Sequence, residues 1–371
     1  MLVLVANLGS TSFKYKLLDM EHDGEVVAHG GYERIGQEGS AYATHGDVID
    51  VILKDLPSQP DAIGFKAVHG GPISGAVQVN DEVLATMQQF ADVAPAHNPP
   101  YIAAMKAFAL KLPKVPQVAA FETAFHQTIP MSRQVYGIPY EWTQELGIRR
   151  YGFHGASHRY IALRTAELLG KERSRRIISC HLGGSSSLCA IENGKSVATS
   201  MGMTPQTGLP QNNRVGDFDT FALPRLMNHG LSLEAILKQL AKNGGLLGIS
   251  GVSNDMRDIE KAAAGGNERA KLAIEALAES VRHYIGAYLV VLGGCDALVF
   301  TGGIGENGIE LRKAICRNLD WAGIVLDEQK NQTRGREMEI SAVESTAAIW
   351  VIPTNEEWVV AGQTVAVLNA N

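Results

Sequence analysis

Hydroxyl-rich glycine turns and histidines in short polar stretches carry most of the chemistry this sequence can do. Asn7-Leu-Gly-Ser-Thr-Ser-Phe-Lys14 gathers Gly9, the hydroxyls of Ser10, Thr11 and Ser12, and Lys14. A turn free of bulky side chains lets backbone N–H groups approach an anion, and flanking hydroxyls and an ammonium add donors, so the segment reads as a phosphate site. It is not a Walker A loop, because G-x-x-x-x-G-K-[ST] is absent and the turn leads into a strand pattern. His181-Leu-Gly-Gly-Ser-Ser-Ser187 is the same device, one residue longer. Gly303-Ile-Gly-Glu-Asn-Gly308 matches G-x-G-x-x-G between a strand pattern and a helix pattern, and Asp327 closes the next apolar run near the spacing of a ribose-binding acid. That unit lies near the C-terminus and leaves both Gly/Ser turns unexplained. It reads as a nucleotide contact on the adenosine side rather than as a pyrophosphate cradle.

Polar residues concentrate in five further short stretches that look unlike core: VHGG (68–71), HNPP (97–100), FETAFHQ (121–127), GFHGASH (152–158) and NNRVGDFD (212–219). One histidine in such a place is usually structural. Five stretches beside three glycine turns point to an active site assembled from distant parts of the chain.

Periodicity supplies the elements that must position them. Leu2–Ala6 and Phe13–Leu18 read as strands around the first turn, and RIISC (176–180) with LCAI (188–191) repeats the arrangement about half a chain later. A repeat at that spacing predicts a duplicated fold with one hairpin loop from each half. Ser157–Leu169 reads as a helix, with Ile161, Leu168 and Leu169 on one face and Gly170 as its stop. Leu233, Ile236, Leu237 and Leu240 recur at helical spacing before Asn243. From Asn267, the series Ile274, Leu277, Val281, Ile285 and Tyr288 makes a long amphipathic helix feeding a strand at Ala297–Phe300. Interleaved strands and helices place the chain in the α/β class.

Composition bounds the rest. At roughly 150 residues per domain, 371 residues suggest two domains, and 45% hydrophobic content supplies their cores. A net charge of −6, from 33 Lys+Arg against 39 Asp+Glu, argues against a nucleic-acid protein. The densest basic run, Lys171 to Arg176, is interrupted by Glu172 and reads as a solvated connection. The most membrane-like stretch, Tyr284 to Phe300, is broken by Gly293, Gly294 and Asp296, so no span is expected. Cys180, Cys189, Cys295 and Cys316 are widely spaced, and the first two sit in apolar stretches like reduced core residues of a cytosolic protein.

With these residues in view, the chain resembles the acetate kinase family of the actin-like ATPase superfamily from Val3 to Ala361. The resemblance is carried by NLGSTSFK (7–14), HNP (97–99), TAFHQTIP (123–130), YGFHGASHRY (151–160), HLG (181–183), TSMGMTP (199–205), RVGDFD (214–219), GLLGISG (245–251), FTGGIGEN (300–307) and PTNEE (353–357), in that order. It implies two duplicated ribonuclease H-like domains, 1–127 plus 358–371 and 128–357, with a nucleotide and substrate cleft between them. It also implies a cytoplasmic, usually homodimeric enzyme that phosphorylates short-chain carboxylates from ATP with Mg²⁺, reversibly, with no nucleic acid or membrane partner. The Asn267–Leu292 helix is a candidate for part of the dimer surface.

A carboxylate is ionised at neutral pH, so no general base is needed; the site must cancel charge and hold the reactants in line. Arg214 offers a planar fork for this. By resemblance, His154 donates to the phosphoryl oxygens, His97 supports the transition state, and Lys66 and Glu122 complete the catalytic set. Asn7, Ser10, Ser12, Lys14, His181, Gly183 and Gly184 contact phosphates; Gly303, Ile304, Gly305 and Asn307 border adenine and ribose; Glu122 and Glu356, with Asn7, hold the metal. Val68, Ala96, Phe153 and Pro205 form the acyl pocket beside Lys66. Four departures stand out: Lys66 replaces the family's arginine, Glu122 its aspartate, Gly184 an asparagine and Ala96 a larger apolar residue. They leave room for a kinase of propionate, butyrate or a hydroxy acid. A nucleotide-binding sensor without catalysis and an NAD-linked dehydrogenase built on the GIGENG unit are the readings from other classes.

Overall fold

The twelve strands of the described residues form two sheets of one design. The computed structural model describes residues 1–95 and 97–370; Ala96, expected in the acyl pocket, lies outside the described residues. Strands β1 (Leu2–Leu8), β2 (Phe13–Asp19), β3 (Glu25–Tyr32), β4 (Ala62–Ala67), β5 (Ala76–Gln78) and β6 (Gln117–Phe121) make a sheet ordered β3-β2-β1-β4-β6-β5. Strands β7 (Arg176–His181), β8 (Ser187–Glu192), β9 (Lys195–Thr199), β10 (Ala297–Thr301), β11 (Met338–Glu339) and β12 (Ala348–Val351) make the second, ordered β11-β12-β10-β7-β8-β9. In each, a three-strand antiparallel meander joins two parallel strands, and a short antiparallel strand closes the far edge. The Gly/Ser turns are the first hairpin loops of the two meanders, at residues 9–12 and 182–186.

Alternation along β1 sends Leu4, Ala6 and Leu8 to one face and Val3 and Val5 to the other. The first face is covered by the helices His45–Asp55 and Asn98–Lys111, through Ile49, Ile52, Tyr101 and Phe108. On the second sheet, Ile178, Leu298 and Phe300 pack under Leu277, Val281 and Ile285 of the helix Glu268–Leu292, capped by Asn267 as its periodicity predicts. That helix is core. It leaves only Leu272 and Val290 as exposed large apolar residues, so the expectation that it forms a dimer surface is not supported by where its apolar face points.

The remaining faces are covered by exchange. The helix Gly155–Leu169 comes after β6 in the chain but packs Ile161 and Ala162 on the second sheet. The helix Glu356–Asn369 comes after β12 but packs Val359, Val360 and Ala361 against Val3, Val5 and Ala62 of the first. Burying each such valine is worth roughly 1.5–3 kcal/mol. The two helices touch through Tyr160 and Trp358, whose rings are 6.3 Å apart. The first starts two residues before the expected Ser157, because His154 turns the chain and frees Gly155 to begin it. Among the described residues no helix is long and apolar enough to cross a membrane.

Candidate active site

The starts of the two exchanged helices face the same gap between the sheets. Lys66 lies near the end of β4 and Glu122 directly follows β6; Lys66 pairs with Ala120, so both side chains emerge at one end of the sheet. Glu356 opens the helix covering that face. Lys66 Nζ stands 3.2 Å from Glu122 Oε1 and makes a second ion pair with Glu356. Burial pushes the Glu122 carboxyl up to about 7, opposed by the Lys66 charge and reinforced by Glu356. Burial also acts on Glu356, but Lys66 and His181 outweigh it and hold that carboxyl below its ordinary range. Lys66 itself stays protonated, since the two carboxylates more than offset its desolvation.

His154 has φ 57° and ψ 31°, the left-handed region that non-glycine residues seldom adopt. The next residue explains the turn: Gly155 N donates to the Glu122 carbonyl at 2.9 Å, and a Cβ there would lie 2.2 Å from that oxygen. The His154 ring stacks on His181 at 4.2 Å, and its Nδ1 lies 2.8 Å from Ser187 Oγ. His181 is fixed in turn by Ser157 Oγ, 2.8 Å from its Nδ1. Burial holds His154 well below the usual imidazole range, helped by His181, His158, Lys66 and Arg214. His97, at the start of the helix Asn98–Lys111, is pushed down to about 4 by burial and then by the Arg214 and Lys66 charges. Both cations therefore reach both histidines across one cleft.

Arg214 sits on a loop and donates from Nη1 to Ser185 Oγ (3.1 Å), Gln211 Oε1 (3.3 Å) and the Pro205 carbonyl (3.4 Å). Its Nε and Nη2 make no hydrogen bond among the described residues, which leaves half the fork for an anion. The loop is clamped by the helix Gly245–Ser250: Leu246 N donates to the Gln211 carbonyl at 2.8 Å. Of the acyl-pocket set, Phe153 is buried 6.0 Å from the His69 ring, which is next to Val68, and Pro205 lies against Arg214.

The nucleotide set divides. Gly183, Gly184, Gly303, Ile304 and Asn307 line one cavity of about 570 Å³, together with Asn212, Asp255, Arg257 and Arg334. Gly305, expected beside them, is buried instead, and Ile304 N and Gly305 N both donate to the Leu182 carbonyl at 2.9 and 3.0 Å. Those amides are spent on the second hairpin and are not free to cradle a pyrophosphate. Asp327 does not face the cavity either; its carboxylate accepts from Gln329 N and Lys330 N and pairs with Lys330. The dinucleotide reading of GIGENG fails on these two points. On the first hairpin, Asn7 pairs with Lys14 on the face of the sheet that the Glu356 helix covers, while Ser10 and Lys14 are exposed. A larger cavity of about 640 Å³, between Ala124–Thr128, the helix Gly155–Leu169 and Asn193–Lys195, touches none of these residues.

A model of the Acetokinase family matches residues 46–362. The chain belongs to that family. Acetokinase relatives include the acetate kinase of Natranaerobius thermophilus, 43% identical over 99% of this chain and 100% of the relative. That of Carboxydothermus hydrogenoformans is 44% identical over 98% of each. The crystal structure of Porphyromonas gingivalis acetate kinase superposes with a TM-score of 0.92 at 40% identity, covering 99% of both chains. A propionate kinase from Francisella tularensis superposes with 0.91 at 37% identity over the same 99% of each. The two halves are thus the duplicated ribonuclease H-like domains of an acetokinase, a phosphotransferase family with a carboxyl group as acceptor.

The acetokinase cleft fits a hard cation. Among the described residues, Glu122 Oε2 and Glu356 Oε1 are buried without a hydrogen-bond partner, and Glu122 Oε1 has only its ion pair with Lys66. Two carboxylates, with phosphate and water oxygens completing the shell, are a donor set that suits Mg²⁺. Several supporting residues escaped the sequence reading: Ser179 and Gln211 around the cations and histidines, and Asp255, Arg257 and Arg334 around the cavity; Ser185 and Ser187 were marked only as hydroxyls of the second Gly/Ser turn. Serines inside apolar strands carry no signal of their own. Arg257 could have been marked by its place two residues after a helix-capping Asp255.

Proposed function

We propose that the protein is an acetate kinase, transferring the γ-phosphoryl group of ATP directly to acetate, reversibly. The observation that carries this is the convergence of Arg214, His97, His154 and the Lys66–Glu122–Glu356 cluster in one cleft of an acetokinase chain. An acetate oxygen attacks phosphorus in line, the bond from phosphorus to the ADP oxygen breaks, and no proton has to move. Arg214 clamps the transferring oxygens or the carboxylate with the free side of its fork. His154 and His97 donate to the developing charge, and Lys66 turns its ammonium toward the acid. Val68, Phe153 and Pro205 enclose the methyl group. Asn7, Ser10, Ser12 and Lys14, with His181, Gly183 and Gly184, face the phosphates. Gly303, Ile304 and Asn307 border the adenosine. Glu122 and Glu356, with Asn7, would hold Mg²⁺, which would supply positive charge to offset that of the phosphates.

Residues 1–127 with 358–371 act as one domain and 128–357 as the other, closing on the substrates. The four cysteines are unpaired and buried, which suits a reducing cytoplasm. A homodimer is supported by the exposed apolar side chains Phe221, Leu231, Leu233 and Leu237, gathered on one short region of the second half.

A coupled ADP-release assay over straight-chain C2 to C6 carboxylates tests the activity. Acetate should give the highest kcat/KM; ADP release independent of any carboxylate, from protein that binds ATP, would sink the reading. In the same assay Arg214→Ala should lower turnover roughly 100- to 1,000-fold, as loss of a transition-state donor does, and leave ATP affinity nearly unchanged.

A further inference from the structure

We infer that Ser179, His158 and Ser187 form a relay of hydrogen bonds that fixes the tautomer of His154, so that its Nε2 faces the cleft as an N–H donor. The inference rests on the reading of His154 as a group that meets the phosphoryl oxygens, and it assigns positioning roles to residues that touch no substrate.

The chain of contacts is continuous. Ser179 Oγ is 2.9 Å from His158 Nδ1, His158 Nε2 is 2.9 Å from Ser187 Oγ, and Ser187 Oγ is 2.8 Å from His154 Nδ1. Ser179, Ser187 and His158 are fully buried, and their strands hold them in place: Ser179 lies on β7 and Ser187 opens β8. Distances alone leave the proton directions open, because a hydroxyl and a neutral imidazole can each donate or accept.

Satisfaction of buried donors settles the direction. Ser179 Oγ has no partner other than His158 Nδ1 among the described residues. If Ser179 accepted from that nitrogen, its own hydroxyl hydrogen would be buried with nowhere to go. Ser179 therefore donates, and His158 Nδ1 accepts. Burial and the neighbouring His126 and His181 keep His158 neutral, so its one proton is on Nε2 and is donated to Ser187 Oγ. Ser187 then has a single hydrogen left, and its other partner is His154 Nδ1. His154 Nδ1 accepts, the His154 proton is on Nε2, and Nε2 makes no hydrogen bond among the described residues. Reversing any one link reverses all of them and turns Nε2 into an acceptor, which a phosphate oxygen would repel.

The test is ¹⁵N NMR of the full-length protein labelled at histidine, at neutral pH without ligands. His154, assigned by its loss in His154→Asn, should show a pyridine-like Nδ1 and a pyrrole-like Nε2. Ser187→Ala should turn this into a mixture of tautomers, as should Ser179→Ala, which lies two residues along the relay. Turnover should drop about 10- to 100-fold in each, the usual cost of losing a group that orients a functional histidine. A wild-type His154 protonated on Nδ1 would overturn the relay, as would an unchanged His154 signal in Ser187→Ala. A shift in Ser187→Ala without one in Ser179→Ala would overturn the part beyond Ser187. A shifted tautomer with full turnover would uphold the relay and instead sink the role of His154 in the transfer.

Discussion

Lys66 is the residue on which the site's charge balance turns. Its ammonium is what allows two buried carboxylates to approach one another, since Glu122 Oε1 is 3.2 Å from it and Glu356 pairs with it as well. Removing one member of a buried ion pair costs about 3–5 kcal/mol, because the partner charge remains. Lys66→Met should therefore melt well below the parent, and Mg²⁺ should restore more of the lost melting temperature in the variant than it adds to the parent. Equal shifts in both proteins would mean that the two carboxylates do not share a cation. The buried histidines predict a different dependence. His69 and His126 are each held down to about 4, mainly by burial, against an ordinary 6.5. Between those values the unfolded chain binds the additional protons, so stability is fully present above pH 6.5 and is lost as the pH falls toward 4. Each histidine contributes about 3 kcal/mol to that loss. Urea midpoints measured from pH 7.5 to 4.5 should be flat at first and then fall, less steeply in His126→Gln.

At the scale of elements, the Arg214 loop depends on a neighbour with no side chain. Gly245 has φ +57°, and a Cβ on it would lie 2.0 Å from the Gln211 carbonyl and 2.5 Å from that of Arg214. Gly245→Ala should displace the loop, lowering turnover at least tenfold while costing about 1–3 kcal/mol of stability in a thermal melt. Retained turnover would show that Arg214 does not need this support. The loop also shows where sequence reading reaches its limit. Glycine clusters marked the two hairpins, and the 3.6-residue rhythm marked Glu268–Leu292, because these are local properties of the chain. The GIGENG motif misled over Gly305 and Asp327 because a pattern of glycines cannot report that Leu182, more than a hundred residues away, already accepts from the amides. Likewise Ser179 looks like filler in an apolar strand, and Ser187 like one more turn hydroxyl, until the fold brings His158 between them. The family motifs named nearly all the residues around the cleft; the groups that orient them came only with the three-dimensional arrangement.

For the whole molecule, the apolar group Phe221, Leu231, Leu233 and Leu237 belongs to a surface rather than to either core. Sedimentation equilibrium should give a dimer, and Leu233→Glu with Leu237→Glu should shift it toward monomer while leaving the far-UV spectrum unchanged. A variant that stays dimeric would move the interface elsewhere. The exchanged helices have a further consequence, for the order in which the protein is made. Val3 and Val5 leave the ribosome well over three hundred residues ahead of the helix that covers them, Glu356–Asn369. At about 5–20 residues per second, the first sheet waits on the order of tens of seconds with one apolar face bare. The half translated first is therefore the half completed last, and it is the one that chaperones would be expected to guard during synthesis.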